Sequence, residues 1–492
     1  MASIDGLITG MSTTDTINQL MQVEAAPQTA LKAKITTANK VVSAYQSVNT
    51  RFSSLATAAK ALGVADTWGA MKATSSSDAA VVSAQSGASA GSLSFQVKQL
   101  AATHVLTFTA APVGSASADV APLDSGTGLP VVNLVDPANP GSIIKTLTPQ
   151  DASLQSVVAA INAEADLPYK ASAVQIGSGQ YTLQLTAKTS GGTAAQSMSA
   201  AGLPQLSLGD PTVTVEGKNA ELKVGTGDGA YSITSATNTF ADVMPGVTVT
   251  AAKAQADTDA RVTVNVAADA EGIAAKVQAL VDNANVALSE IASQSKTKSG
   301  EVAAGPLVGD NTMRKLSQDI LSAVTSGVAG LGGNGGTASL SEVGVAVDRS
   351  GKLTFDKDKF TAAYQADPAK TRKYFDSYED VTTDGKGTAG KFEPGFDNAI
   401  GVGRKLEALA LIASEGVVDP LNPTKAKQGM VQALIQRRTD SIRDLNEQVS
   451  AWDVRLESRK TALQRQFSSL EVALGKMQQQ SSWLAGQLAS LA

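Results

Sequence analysis

Counting in sevens from Ile435 meets Ile442, Val449, Leu456, Leu463, Leu470, Met477, Leu484 and Leu491, an apolar side chain at every stop. A helix turns once in about 3.6 residues, so a strict seven-residue repeat keeps one face apolar only when the helix winds against a partner. No Gly or Pro interrupts residues 431–474, where Arg, Glu, Gln, Leu and Ala predominate, so local propensity agrees with the period. At about 1.5 Å per residue, one helix over 431–492 reaches roughly 90 Å. Gly475 and Gly486 are weak points near its end. A second register is mixed, with Leu445 and Trp452 apolar and Arg459, Gln466 and Gln480 polar. Two readings stand: a bundle helix with one buried stripe, or a helix that pairs with its own N-terminus and then with neighbouring subunits.

The beginning of the chain supplies such a partner. Ile4, Leu7, Met11, Ile17, Leu20 and Met21 are interrupted by Gly6, Gly10 and a polar run from Ser12 to Asp15. Ser12 or Thr13 is placed to cap a short helix to Glu24, which Pro27 stops or restarts. Leu31, Ala38, Tyr45, Phe52 and Ala59 then share one heptad track, and Val41, Val48, Leu55 and Leu62 another, predicting a helix that ends near Gly63. The expected packing residues are therefore Leu31, Tyr45, Val48, Phe52, Leu55 and Leu62 on one side, and the stripe from Ile435 to Leu491 on the other.

Between these helices the period changes to two. Alternation marks strands at Leu93–Val97, Tyr181–Leu185, Val213–Val215, Leu222–Val224, Val247–Val249 and Val262–Val266, separated by Gly, Pro, Asp or Asn turns. One helix is predicted over Leu154–Ala163, and the Ala/Gly/Pro-rich stretch Ala111–Gly141 suggests an outer domain inserted into an inner one. Helical spacing resumes at Ile273, Val277, Leu280, Ala284, Leu288 and Ile291. Asp310 is placed to cap a further helix, a hairpin follows at Val343–Val347 and Lys352–Phe355, and Asp367-Pro368 and Ala399–Ile412 begin and carry two more helices. The fold class is multidomain α+β: an N- and C-terminal coiled-coil-like helical leg with antiparallel β domains inserted between. The expected domains are leg segments 1–39 and 431–492, a helical stalk with a hairpin at 40–72 and 269–430, an inner β domain at 73–111 and 205–268, and an outer β domain at 112–204.

Composition narrows what such a scaffold does. The length of 492 residues suggests about three or four domains. No run approaches the ~20 apolar residues of a membrane span, and no cleavable secretory signal is visible. Cysteine is absent, which excludes disulfides and thiolate chemistry, and His104 is the only histidine. A net charge of −5 gives no basis for nucleic-acid binding. Gly330 to Gly335 has dinucleotide-loop spacing but follows a helix, so it reads as a surface loop. Asp356 and Asp358 lack the rest of a calcium loop and read as helix caps, while Asp257 and Asp259 read as a solvated turn. No catalytic, metal or cofactor site is expected, and the chain is not read as an enzyme.

Several stretches resemble the flagellar filament cap (hook-associated protein 2) family. Ile4 to Thr13, followed by Ile17, Leu20-Met21, Glu24, Pro27 and Leu31, is similar to the family's amino-terminal signature, with Thr9 and Met11 departing from its usual residues. Ser92–Ala101 resembles its first β segment, and Asn238–Val249 its internal motif of an asparagine followed by Pro-Gly-Val-Thr. Leu307–Asp310, Asp348–Leu353 and Gln464–Phe467 resemble its carboxy-terminal region. The resemblance implies helical legs beneath a plate of β domains, assembled with further copies of itself, commonly as a pentamer, on the distal filament tip. It implies flagellin and hook–filament junction proteins as partners, a chaperone on the C-terminal helix before export, and secretion through the flagellar export apparatus. It names no cofactor, nucleic acid or membrane span. The competing readings are a surface adhesin acting through the outer β domain, and another hook-associated or flagellin-like filament protein.

Overall fold

The computed structural model describes residues 12–381, 390–420 and 422–489, so the signature residues Ile4 to Met11 and the last heptad residue, Leu491, lie outside it. The chain forms two compact units, one ending at Trp68 and resuming at Ala270, the other running from Gly69 to Asp269.

The first unit is helical. Ser12 accepts a hydrogen bond from the Asp15 amide at 3.2 Å and starts the helix Thr13–Glu24. After Ala25 a second helix runs from Ala26 to Ala61 with Pro27 in its first turn, where proline's missing amide costs nothing. Tyr45, Val48, Phe52, Leu55 and Leu62 are fully buried. They pack against the helices Ala270–Ser295 and Val402–Ala413, whose Ile273, Val277, Leu280, Leu406 and Ala410 are buried in turn. Asp310 caps Asn311–Thr325, accepting from the Thr312 and Met313 amides at 2.8 and 3.2 Å. The hairpin Val345–Val347 with Leu353–Phe355 is pinned to the bundle by Asn285, which bonds both the amide and the carbonyl of Leu353 at 2.8 Å. The long N-terminal helix ends where Arg404 donates to the Gly63 carbonyl at 2.7 Å. A Cβ on Gly63 would sit 2.3 Å from that guanidinium, so a larger residue would push Arg404 out of this contact. Arg404 also pairs with Asp376 at 2.7 Å and Glu407 at 2.9 Å. Burial pushes the Glu407 carboxyl up, and Arg404 opposes the shift.

The C-terminal helix runs unbroken over Met430–Ala489 and passes through both Gly475 and Gly486. A glycine costs only ~1 kcal/mol in a helix interior, too little to end a helix that its neighbouring turns propagate.

The second unit is β-rich and contains two cores. In the inner domain an antiparallel five-stranded sheet orders Met71–Ser75, Val262–Ala268, Gly91–Gln99, Ala220–Val224 and Tyr231–Ser235. A three-stranded sheet orders Thr239–Met244, Val247–Ala251 and Ala80–Ala84. Strict alternation decides which faces turn inward: Val262, Val264 and Val266 are buried and their neighbours exposed. The outer domain has a four-stranded sheet of Thr212–Val215, Thr103–Thr107, Gln180–Ser190 and Tyr169–Gly177, a three-stranded sheet of Asn139–Leu147, Val132–Asp136 and Leu203–Pro204, and helices at Leu154–Ala163 and Ala194–Ala201.

These boundaries correct two expectations. The outer core includes Leu106, Phe108, Leu206 and Leu208, so the outer domain spans about 103–215 rather than 112–204. Its first and last strands lie side by side, a pairing that only the tertiary fold reveals. Met71 and Lys72 belong to an inner-sheet strand and not to the helical stalk, because they pair with Ala268 and Ala267.

Candidate functional site

The heptad stripe on the C-terminal helix divides into stretches with different surroundings. Near its start Val431 is fully buried, and Ile435, Ile442, Val449 and Leu456 are half-buried, as is Leu31 on the facing helix. Leu463 is buried at 8% exposure, whereas Leu470, Met477 and Leu484 are 52%, 59% and 56% exposed.

The cover comes from the chain's own N-terminal helices, which run antiparallel to the C-terminal one. Gln28 donates to the Val449 carbonyl at 3.4 Å and to the Asp453 carboxylate. Four residues earlier, Glu24 pairs with Arg459 at 3.3 Å. Continuing seven residues back along the short helix brings Ile17, itself 6% exposed, to the level of Leu463 to Gln466. The described part of the short helix ends only one turn further on, and so does the cover.

A polar clasp fixes the root of this pairing. The Tyr45 hydroxyl donates to Asp310 at 2.5 Å. Burial and the adjacent Asp310 carboxylate push the phenol up to about 12, with Arg438 of the C-terminal helix acting in the opposite direction. Asp310 thus serves both as helix cap and as partner of the long N-terminal helix.

The residues grouped by periodicity therefore fall into three environments. Tyr45, Val48, Phe52, Leu55 and Leu62 form the bundle core, and Leu31, Ile435, Ile442, Val449, Leu456 and Leu463 form an intramolecular seam. Leu470, Met477 and Leu484 form a bare stripe. Periodicity missed Glu24, Gln28 and Ile17, which belong to the seam. It also missed a change of track. In the covered stretch the second apolar positions, Leu445 and Trp452, lie three residues after a stripe position. From Leu463 onward they lie four after, at Phe467, Leu474 and Leu488, of which Phe467 and Leu474 are half-buried and Leu488 is 63% exposed. Both stretches keep the alternating three-and-four spacing of a heptad seam, and the stripe only changes its place within the repeat. Trp483 adds a large exposed side chain at 65%.

The remaining candidates are structural. His104 is a buried strand residue whose Nδ1 accepts the Gly217 amide at 3.2 Å. Gly333–Gly335 forms a short turn of helix within a loop, Asp356 caps a helix by accepting from Lys359, and Asp259 accepts from Ala256. Among the described residues no three potential ligands gather to hold a metal ion, and no helix is long and apolar enough to cross a membrane.

Comparison with known proteins gives concordant matches. Residues 9–104 match the model for the flagellar hook-associated protein 2 N-terminus, and residues 217–479 match that for its C-terminus. Flagellar hook-associated protein 2 of Escherichia coli K12 is 24% identical over 514 residues, covering 99% of this chain and 98% of that protein. The lateral flagellar hook-associated protein 2 of Vibrio parahaemolyticus is 27% identical over 296 residues, covering 58% of this chain and 63% of that protein. Among solved structures, the D1-D2-D3 domains of the Escherichia coli flagellar cap protein FliD align with a TM-score of 0.53 at 23% identity, covering 80% of this chain and 99% of that one.

Proposed function

Because the chain belongs to the flagellar hook-associated protein 2 family, we propose that it caps the distal end of a bacterial flagellar filament, retaining exported flagellin and promoting its polymerisation. This is a structural role, and it replaces the adhesin and flagellin-like readings. The observation that carries the mechanism is the division of the C-terminal stripe. Up to Leu463 it is closed by the chain's own helices, which makes a leg, and from Leu470 it is open while keeping the same heptad period.

On this reading the open stripe seats against terminal helices of flagellin or of hook–filament junction subunits, and several copies of the chain, a pentamer in the proposed assembly, act together. Burying one exposed leucine contributes about 1.5–3 kcal/mol, so a stripe of three or four anchors holds firmly. It still releases when a new subunit competes for the same surface. Before export the same stripe needs cover, which a chaperone provides. A chain without cysteine or dense charge suits passage, unfolded, through the flagellar export apparatus to the tip.

Deleting the gene tests the role. Loss of a cap leaves hooks in place with unpolymerised flagellin in the medium, whereas filaments of normal length with no shed flagellin would contradict it.

A further inference from the structure

The chain crosses between its two β domains twice, at Leu100–Ala102 and at Glu216–Asn219, and the two crossings are tied together. The Ala102 amide donates to the Lys218 carbonyl at 2.8 Å, and the Lys218 amide donates back at 3.1 Å. Asn219 accepts from the Gly192 amide of the outer domain at 2.7 Å, while its carbonyl accepts from Gln99 of the inner sheet at 2.6 Å. Asn238, the first residue of the internal motif, accepts from the Ala101 amide at 2.7 Å. Ser190 of the outer sheet donates to the Ala236 carbonyl at 2.6 Å.

The only histidine closes this joint. His104 is 5% exposed, and its Nδ1 accepts the Gly217 amide at 3.2 Å. An Nδ1 that accepts has no proton, so the contact requires the neutral imidazole. Gly217 is held tightly, since a Cβ there would lie 2.7 Å from the Gly191 carbonyl oxygen and 3.1 Å from the His104 Cβ. The strands flanking His104, Gln180–Ser190 and Thr212–Val215, and the helix Ala194–Ala201 packed on it contribute Tyr181 and Lys188 as their titratable groups. Lys188 reaches the Ala165 carbonyl at 2.9 Å. In the return crossing Glu216 and Lys218 pair with each other at 3.3 Å. The packed elements therefore offer an imidazolium no carboxylate, and the nearby Glu216 is engaged and largely exposed.

We propose that this contact makes the joint between the inner and outer β domains acid-sensitive: protonating His104 turns the acceptor of the Gly217 amide into a donor, and the outer domain loosens on the inner one.

Hydrogen exchange on the full chain tests this. After correction for intrinsic rates, protection of the Gly217 amide should fall severalfold on acidification from about pH 7.5 to about pH 5.5. In His104→Asn, whose amide oxygen takes the place of Nδ1 without titrating, protection should be equal at both values. Unchanged protection in the natural chain, or an equal loss in the variant, overturns the proposal. A second measurement keeps His104 in place. Because the chain lacks cysteine, spin labels on Ser178→Cys in the outer domain and Asp228→Cys in the inner one report a single distance. That distribution should broaden reversibly on acidification, and one that stays fixed overturns the proposal.

Discussion

Between Ile435 and Leu463 the C-terminal helix turns its apolar stripe toward its own chain, while between Leu470 and Leu488 an equally regular stripe faces outward. Helix, period and residue types are the same in both stretches. What differs is the cover: the described N-terminal helices lie alongside the first stretch as far as the level of Leu463. One periodic element thus serves folding in one half and, on the proposed reading, association in the other. The second apolar track shifts at Leu463 from three to four residues after the stripe, and both spacings keep the heptad alternation.

The largest effect should come from the covered region. Phe52→Ala opens a cavity at a fully buried bundle position and should destabilise the helical unit by about 3–5 kcal/mol, read as a lower midpoint in denaturant. A loss below about 1 kcal/mol would remove Phe52 from the core. Next comes Tyr45→Phe, which deletes the hydroxyl bonded to Asp310 and should cost about 2 kcal/mol at neutral pH. Its pH dependence has a definite sign. The folded phenol sits at about 12 against an ordinary 10.0, so the folded state binds the extra proton. The stabilisation is complete below about pH 10 and is lost as pH rises from there to about 12, and Tyr45→Phe should flatten the alkaline limb of the stability curve. An unchanged alkaline limb would show that the clasp is not formed.

Smaller still is the exposed Glu24–Arg459 pair. Glu24→Gln should cost no more than about 0.5 kcal/mol and lose even that in high salt. A larger effect would mean that the short helix is held to the C-terminal helix by charge and not by Ile17. In the bare half, Leu470→Asp and Leu484→Asp should each change the stability of the isolated chain by no more than about 1 kcal/mol, because both side chains are already more than half exposed.

Much of the helical unit was legible because long amphipathic helices repeat their signal many times over. The ends of the long N-terminal helix, the caps at Ser12, Asp310 and Asp356, and the helix Leu154–Ala163 all follow from spacing and capping chemistry. Val132–Asp136 gave no alternation because Val132, Leu134 and Val135 are all buried, and it lies in the Ala/Gly/Pro-rich stretch Ala111–Gly141, whose composition suggested only an inserted domain. The helix Ala194–Ala201 is built from small residues and carries no apolar period. In the candidate site the stripe itself was legible, but its division was not. Which heptads are covered depends on where an antiparallel partner ends, and Gln28 and Glu24 declare themselves only once the two helices lie side by side. The same holds for His104, whose partner lies 113 residues away along the chain.

The most direct test of the division joins its two sides in one variant. In a chain carrying both Leu470→Asp and Leu484→Asp, the purified protein should unfold close to the temperature of the natural one, while cells that depend on it should shed unpolymerised flagellin into the medium. Normal filaments without shed flagellin, from a variant equally stable, would show that the bare stripe is not the surface through which the chain works.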